Sequence, residues 1–209
     1  MDKVYTQLGA SKIAKEERQK EDYYSTDPIV VNHLLEREPW LNNPNLKFLE
    51  PCAGEGAIAD RFKELTNIQM DLYDIVKRRE DIKEADYFKI DLSNQYDVIF
   101  TNPPYLKDTS NTITGLADFI LKALKEVKVG GSVIMFLKTL HLETKVRYEK
   151  IYKNFPPSKI YVYSDRVSCY REGKKYGGGA ISFSLFLWTN KKEDGSFDKD
   201  TRIDWIRYK

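Results

Sequence analysis

Residues 48–60, "FLEPCAGEGAIAD", constrain the fold of this chain more than any other stretch. A short apolar strand runs into a turn with glycines at 54 and 56, and a helical pattern starts at once. Neither glycine carries a Cβ, so the backbone there can approach a ligand closely. Strand, glycine turn and helix in that order form the first half of a βαβ unit. Such a unit commits a chain to a parallel sheet with ligands beyond the carboxyl ends of its strands.

The alternation continues downstream. Segments 46–51, 68–75, 86–92, 97–102 and 132–137 read as strands, and 55–66, 115–128 and 143–155 as helices. In 115–128, Leu116, Phe119, Ile120, Ala123, Leu124 and Val127 form one apolar stripe, stopped by Gly130–Gly131. An earlier helix starts with Asp27 as N-cap and Pro28 in the first helical position. Its apolar face carries Ile29, Val30, His33 and Leu34. Strands at 159–164 and 181–190 have only a glycine-rich loop between them, so they pair antiparallel. The expectation is one α/β domain over residues 1–209. A charged arm covers 1–24, and a C-terminal extension, 191–209, holds an edge strand. The sheet is mostly parallel and seven-stranded, with helices on both faces and an antiparallel last strand.

Composition excludes several classes. Hydrophobic residues make up 41% of the chain, enough for a true core rather than disorder. No apolar run approaches a membrane span, so no membrane partner is expected. The amino-terminal residues are charged and lack a signal-peptide core, so the expected location is the cytoplasm. Cys52 and Cys169 are too few for a metal cluster or a disulfide framework, and no metal is expected. A formal charge of +2 leaves any nucleic-acid contact to local basic patches.

Two sites stand out. In the first, Asp74 ends the second strand, where a carboxylate can accept both hydroxyls of a ribose. Gly54-x-Gly56-x-x-Ala59 with this acid also fits a dinucleotide fingerprint. Glu50 argues against that ligand. An acid beside the glycine turn repels a pyrophosphate and favours the cationic amino and sulfonium groups of S-adenosylmethionine. Cys52 lies inside the turn and reads as a small loop residue, not a nucleophile. The second site is "TNPPY", where a buried strand halts on Asn102, Pro103, Pro104 and Tyr105.

Together these motifs resemble the amino-methyltransferases, whose catalytic motif reads D/N/S-P-P-Y/F. The Asn form resembles the adenine-N6 enzymes, and the arm and late "FSLFLW" block resemble small DNA adenine methylases of phages and mobile elements. The resemblance spans nearly the whole chain. It implies the Rossmann-like class I methyltransferase fold, S-adenosylmethionine as cofactor and adenine-containing DNA as partner. It places Tyr24, Thr26 and Pro28 over the methionine part of the cofactor. Glu50, Pro51, Cys52, Ala53, Gly54 and Gly56 form the cofactor turn. Asp74 lies at the ribose and Asp91 at the cofactor's adenine, Ile75 and Leu92 are further cofactor contacts, and Asn102 serves both cofactor and substrate.

The chemistry fits these residue types. The lone pair of adenine N6 is delocalised into the ring. Acceptors on both N–H groups favour a pyramidal nitrogen, and the Asn102 side-chain oxygen and Pro103 carbonyl supply them. The two prolines hold this geometry rigid, and Tyr105 offers a stacking face to a flipped base. No strong general base is needed, and His33 and His141 read as structural.

Arg166, Arg171, Lys174, Lys175 and Tyr176 interleave basic and aromatic side chains at the same sheet end, as a nucleic-acid contact requires. Phe183 resembles an aromatic placed against the target base. Loop 106–115 suits a lid or phosphate contacts. No long recognition region is present between the motifs, so recognition rests on short loops, falls to a homodimer partner, or is lax. The same chemistry would serve RNA adenine or a glutamine side-chain amide. A catalytically idle nucleic-acid-binding partner of a larger methylase is the rival from another class. A nicotinamide dehydrogenase is disfavoured by "NPPY".

Overall fold

The computed structural model describes residues 25–105, 115–167, 169–171, 174–176 and 181–208. Its centre is an eight-stranded sheet. The sheet strands in chain order are β2 (Phe48–Glu50), β3 (Met70–Asp74), β4 (Ile82–Glu84), β5 (Val98–Thr101), β6 (Ser132–Lys138), β7 (Lys159–Tyr163), β10 (Phe183–Trp188) and β11 (Arg202–Ile206). Their spatial order is β11-β7-β10-β6-β5-β2-β3-β4. Strand β10 runs antiparallel between β6 and β7, and the other pairings are parallel. Seven of these make up the expected sheet, and the eighth, β11, is the edge strand expected in the C-terminal extension, pairing in parallel with β7.

The apolar strands bury both faces, as a sheet covered on two sides requires. Successive residues alternate between two cores. Phe48, Val98, Phe100, Ile134, Phe136, Leu185 and Leu187 join one, with Val30, Val31 and Leu34 of helix α1 (Ile29–Arg37) and Ile58 and Phe62 of α2 (Ala57–Thr66). Leu49, Ile99, Val133, Met135, Phe186 and Trp188 join the other, with the stripe of α3 (Leu116–Glu126). Ile151 joins it too, from the helical segment α4 (Lys145–Arg147) and its continuing π-turn Tyr148–Tyr152. The expected helix 143–155 is thus broken in type, and Lys153 N–H donates to Tyr148 O at 2.9 Å, five residues back.

Segment 86–92 is not a strand. Strand β4 lies earlier, and Tyr87–Lys89 form a 3₁₀ turn capped by Asp86, which accepts Phe88 N–H at 3.0 Å. The alternating pattern misleads because Tyr87 and Phe88 both pack on Phe119, with ring centroids 4.8 and 5.9 Å away. Neighbours in a strand would point to opposite faces.

A second, small sheet joins β1 (Ser25–Thr26) to the hairpin β8 (Cys169–Arg171) and β9 (Lys174–Tyr176). Ser25 pairs with Tyr170 and Thr26 with Cys169. From β2 the chain crosses through α2 to β3 on one side, while β5 lies on the other. Ligands in open α/β sheets bind at such a switch point, beyond the carboxyl ends of the strands.

Candidate active site

A cavity of about 340 Å³ opens at this switch point. Of the candidate site residues, Thr26, Glu50, Pro51, Cys52, Ala53, Asp74, Ile75, Asn102, Pro103, Pro104 and Tyr105 line it. Ser25, Ala57, Ile58, Arg78, Ala85, Asp86, Tyr87, Phe88 and Phe119 complete the wall and were not among the candidate site residues. Phe119 belongs to a stripe read as core alone.

The glycine turn is pinned to β3. Ala53 N–H donates to Tyr73 O at 2.9 Å, and Gly54 N–H donates to Asp74 Oδ2 at 2.8 Å. Gly54 has φ 58°, a conformation that favours glycine. Gly56 has φ 82° and closes against Arg79, whose Nη1 a Cβ would meet at 2.6 Å. Asp74 Oδ1 accepts Val76 N–H at 3.0 Å and Arg78 Nη1–H at 2.9 Å. Asp74 thus holds the turn as well as facing the cavity.

Glu50 is 2% exposed, and its Oε2 has no hydrogen-bond partner among the described residues. Burial pushes its carboxyl well above the usual range, and the Asp74 and Asp60 charges add to the shift against the Ala59 backbone N–H. Burial also pushes the Cys52 thiol up, so it is no activated nucleophile. Three acids, Glu50, Asp74 and Asp86, line the cavity against one cation, Arg78.

Asp91 and Leu92 do not reach this wall. Asp91 Oδ1 accepts Ser93 N–H at 3.0 Å and Ser93 Oγ–H at 2.6 Å, and Leu92 is buried in the core. The acid of this segment that lines the cavity is Asp86, because the chain turns at 87–89 instead of extending. Pro28 is exposed and lies just before α1, outside the wall. Asp27 Oδ1 accepts Ile29 N–H at 3.1 Å and Pro28 has helical dihedrals (φ −54°, ψ −23°), so Asp27 caps the helix with Pro28 in its first turn, as expected. Tyr24 and loop 106–114 lie outside the described residues.

At the other end of the cavity, Asn102 follows β5. Its Nδ2 donates to Thr26 Oγ1 at 3.0 Å, and its Oδ1 accepts the Tyr105 hydroxyl at 3.1 Å. The His141 ring lies parallel to that of Tyr105, with centroids 5.5 Å apart and planes 7° apart. Lys138 Nζ sits 4.1 Å from the Tyr105 ring centroid. His141 is 5% exposed, both its ring nitrogens lack partners among the described residues, and burial pushes its pKa down to about 3. No sequence pattern marked His141 as a neighbour of Tyr105, since they meet only through the fold. His33 contacts the Tyr163 hydroxyl at 3.4 Å, away from the cavity wall.

The hairpin carrying Arg171, Lys174, Lys175 and Tyr176 stands beside the site through the β1–β8 pairing. Arg166 is exposed between the bend at 164–165 and the hairpin. Phe183 is buried and stacks on Phe136 at 4.9 Å, so its ring serves the core and does not line the cavity. Among the described residues no group of His, Cys, Asp and Glu could hold a metal ion. No described helix is long and apolar enough to cross a membrane.

No protein-family model and no curated protein matches the chain. Solved structures do. A Listeria monocytogenes protein, provisionally named a class I S-adenosylmethionine-dependent methyltransferase, is 14% identical with a TM-score of 0.59, over 87% of this chain and 65% of that one. The methyltransferase subunit of a type I restriction-modification system from Streptococcus thermophilus is 10% identical with a TM-score of 0.59, over 82% of this chain and 45% of that one. The chain has the class I methyltransferase fold. A Pyrococcus horikoshii protein, provisionally named an RNA methyltransferase, shares it at 14% identity and a TM-score of 0.56, over 81% of this chain and 87% of that one. This methyltransferase fold spans between about half and two thirds of the length of the Streptococcus and Listeria proteins.

Proposed function

We propose that the protein transfers a methyl group from S-adenosylmethionine to the exocyclic N6 of adenine in DNA. One observation carries this reading. Asn102, Pro103, Pro104 and Tyr105 line the same switch-point cavity as Glu50 and Asp74. Cofactor turn and amino-group motif therefore share one chamber.

The donor set fits the cofactor. An orphaned, buried carboxylate oxygen on Glu50 in an acid-lined cavity suits a cationic ligand and opposes a pyrophosphate. Glu50 would face the cationic groups, Asp74 the ribose hydroxyls, and Asp86, with Ile75 and Phe88, the adenine ring. Bound there, S-adenosylmethionine would supply a methyl group on a positively charged sulfur.

The chain's own residues do the rest. Asn102 Oδ1 and the Pro103 carbonyl accept the two N6–H bonds of the target adenine. The prolines fix those acceptors in advance, so little reorganisation is needed as the nitrogen becomes pyramidal. A carbonyl oxygen has two lone pairs, so Asn102 Oδ1 can keep the Tyr105 hydroxyl while it accepts from adenine. The methylated nitrogen is acidic and gives up its proton without a strong base. His141, held neutral by burial, is not required as one.

The basic and aromatic hairpin 169–176 favours a nucleic acid over a glutamine side chain. The restriction-modification subunit among the structures of like fold supports DNA, and the Pyrococcus protein keeps RNA as the second reading. Purified protein incubated with labelled cofactor and matched DNA and RNA should yield N6-methyladenine in DNA digests by mass spectrometry. Asn102→Ala should abolish transfer while cofactor binding survives. Methylation of RNA alone would move the substrate to the second reading.

A further inference from the structure

Segment 138–148 starts at the last residue of β6 and borders the catalytic tyrosine. Lys138 and His141 both contact the Tyr105 ring, so the residues around them lie at the mouth of the substrate site. Leu140, Leu142 and Tyr148 are 47%, 39% and 53% exposed. Single exposed apolar residues are ordinary, but here three fall within nine residues of sequence, on the segment whose Lys138 and His141 touch the Tyr105 ring.

That surface is rigid. The Tyr152 hydroxyl donates to His141 O at 2.9 Å, and Glu143 N–H donates to Leu140 O at 3.1 Å. Arg147 Nη1 reaches both Leu140 O and Glu143 O at 3.3 Å. Thr144, a β-branched residue, is held at φ 98°, a strained conformation that persists only where the surroundings enforce it. The π-turn at Tyr148–Tyr152 ends the segment.

The surface is also basic. Residues 138–148 carry Lys138, Lys145 and Arg147 against one glutamate, Glu143. Lys145 is exposed. Apolar side chains alone would suit a protein, but interleaved with cations they suit a polyanion. Extruding a base leaves a gap in the stack, and an apolar side chain on a stiff backbone can fill it.

We propose that segment 138–148 is a docking face for duplex nucleic acid flanking the target adenine, with Leu140 and Leu142 entering the space that the flipped base leaves. The proposal rests on the adenine-methylation reading and narrows its substrate to the double strand. Lys138, Lys145 and Arg147 hold the flanking phosphates, and hairpin 169–176 lies on the Thr26 side of the same site.

The test is a Leu140→Ser/Leu142→Ser double variant, with its fold checked by circular dichroism. One target sequence is offered as a duplex, as a single strand, and as a duplex with an abasic site opposite the adenine. The duplex kcat/KM should fall about tenfold or more, while the other two substrates stay within about twofold of wild type. Equal losses on all three substrates, or no loss, would overturn the proposal. So would a dimer-to-monomer change by sedimentation with unchanged duplex binding, which assigns the face to a second copy. If the wild type methylates no adenine, the parent reading fails, and the face is then judged by anisotropy alone. Duplex binding lost with single-strand binding kept supports it, and unchanged duplex binding overturns it.

Discussion

Asn102 Nδ2 donates to Thr26 Oγ1 at 3.0 Å, and Thr26 in turn pairs through its backbone with Cys169 of the basic hairpin. One residue therefore touches the proposed methyl-acceptor site with its side chain and the proposed nucleic-acid hairpin with its main chain. Thr26 is 4% exposed, so its hydroxyl and the Asn102 amide meet out of bulk water. With Thr26 Oγ1 holding the amide nitrogen, the amide oxygen is directed to the other side, where Tyr105 also meets it.

Thr26→Val keeps the shape and removes the acceptor. It leaves an amide N–H without this partner, which costs about 1–3 kcal/mol. The expected outcome is a kcat roughly 10- to 100-fold lower, with cofactor affinity much less affected. Thr26→Ser should restore most of the rate. Equal loss in both variants would mean that the contact positions nothing.

Glu50 predicts a pH dependence of known sign. Its folded-state carboxyl titrates above the ordinary value because burial disfavours the charge. The folded protein therefore keeps a proton that the unfolded chain releases. The stability linked to this group is complete below the unfolded pKa and is lost as pH rises through the folded one. Glu50→Gln should raise Tm near neutral pH and flatten its decline, as scanning calorimetry would show. In the wild type a cationic cofactor favours the carboxylate, so binding should release a proton and tighten as pH rises through the same window. Titration calorimetry in buffers of different ionisation enthalpy reads that proton, and Glu50→Gln should abolish it and weaken binding.

The proposed adenine slot separates local from distant information. "EPCAGEG" and "NPPY" were legible because turn chemistry and rigid prolines act within a few residues. Segment 86–92 was not legible as a turn, because alternating apolar and polar residues give the same pattern whether Phe119 gathers Tyr87 and Phe88 or a strand separates them. The contacts Asn102–Thr26 and Tyr105–His141 were invisible for a related reason, since the first joins residues 76 apart in sequence. The late block misled in the opposite sense. Phe183 has the character of a base-stacking residue, yet the register Phe183↔Lys138 turns its ring onto Phe136.

The two acids of that segment give a direct comparison. Asp86 lines the cavity, and Asp91 holds Ser93 outside it. Asp86→Ala should weaken cofactor binding by about tenfold or more, the loss of a hydrogen bond to a charged group. Asp91→Ala should leave it within about twofold, as exposed substitutions do. The reverse order, read by titration calorimetry, would return the adenine slot to Asp91.

His141 supplies the last prediction. Burial holds its pKa down at about 3, against an ordinary value of 6.5, and the nearby Arg147 and Lys138 charges push the same way. The folded protein stays neutral at this ring while the unfolded chain takes up a proton below about pH 6.5. Stability should therefore fall as pH drops from about 6.5 toward 3, with the unfolded state binding the extra proton. His141→Phe keeps a flat ring against Tyr105 and carries no proton, so its Tm should be less sensitive to acid across that window. The pH profile of kcat above pH 6 should match the wild type, because a neutral ring cannot act there as an acid. A missing limb in the variant's kcat profile near neutral pH would instead show that His141 takes part in proton transfer, and would overturn the assignment of a purely stacking role.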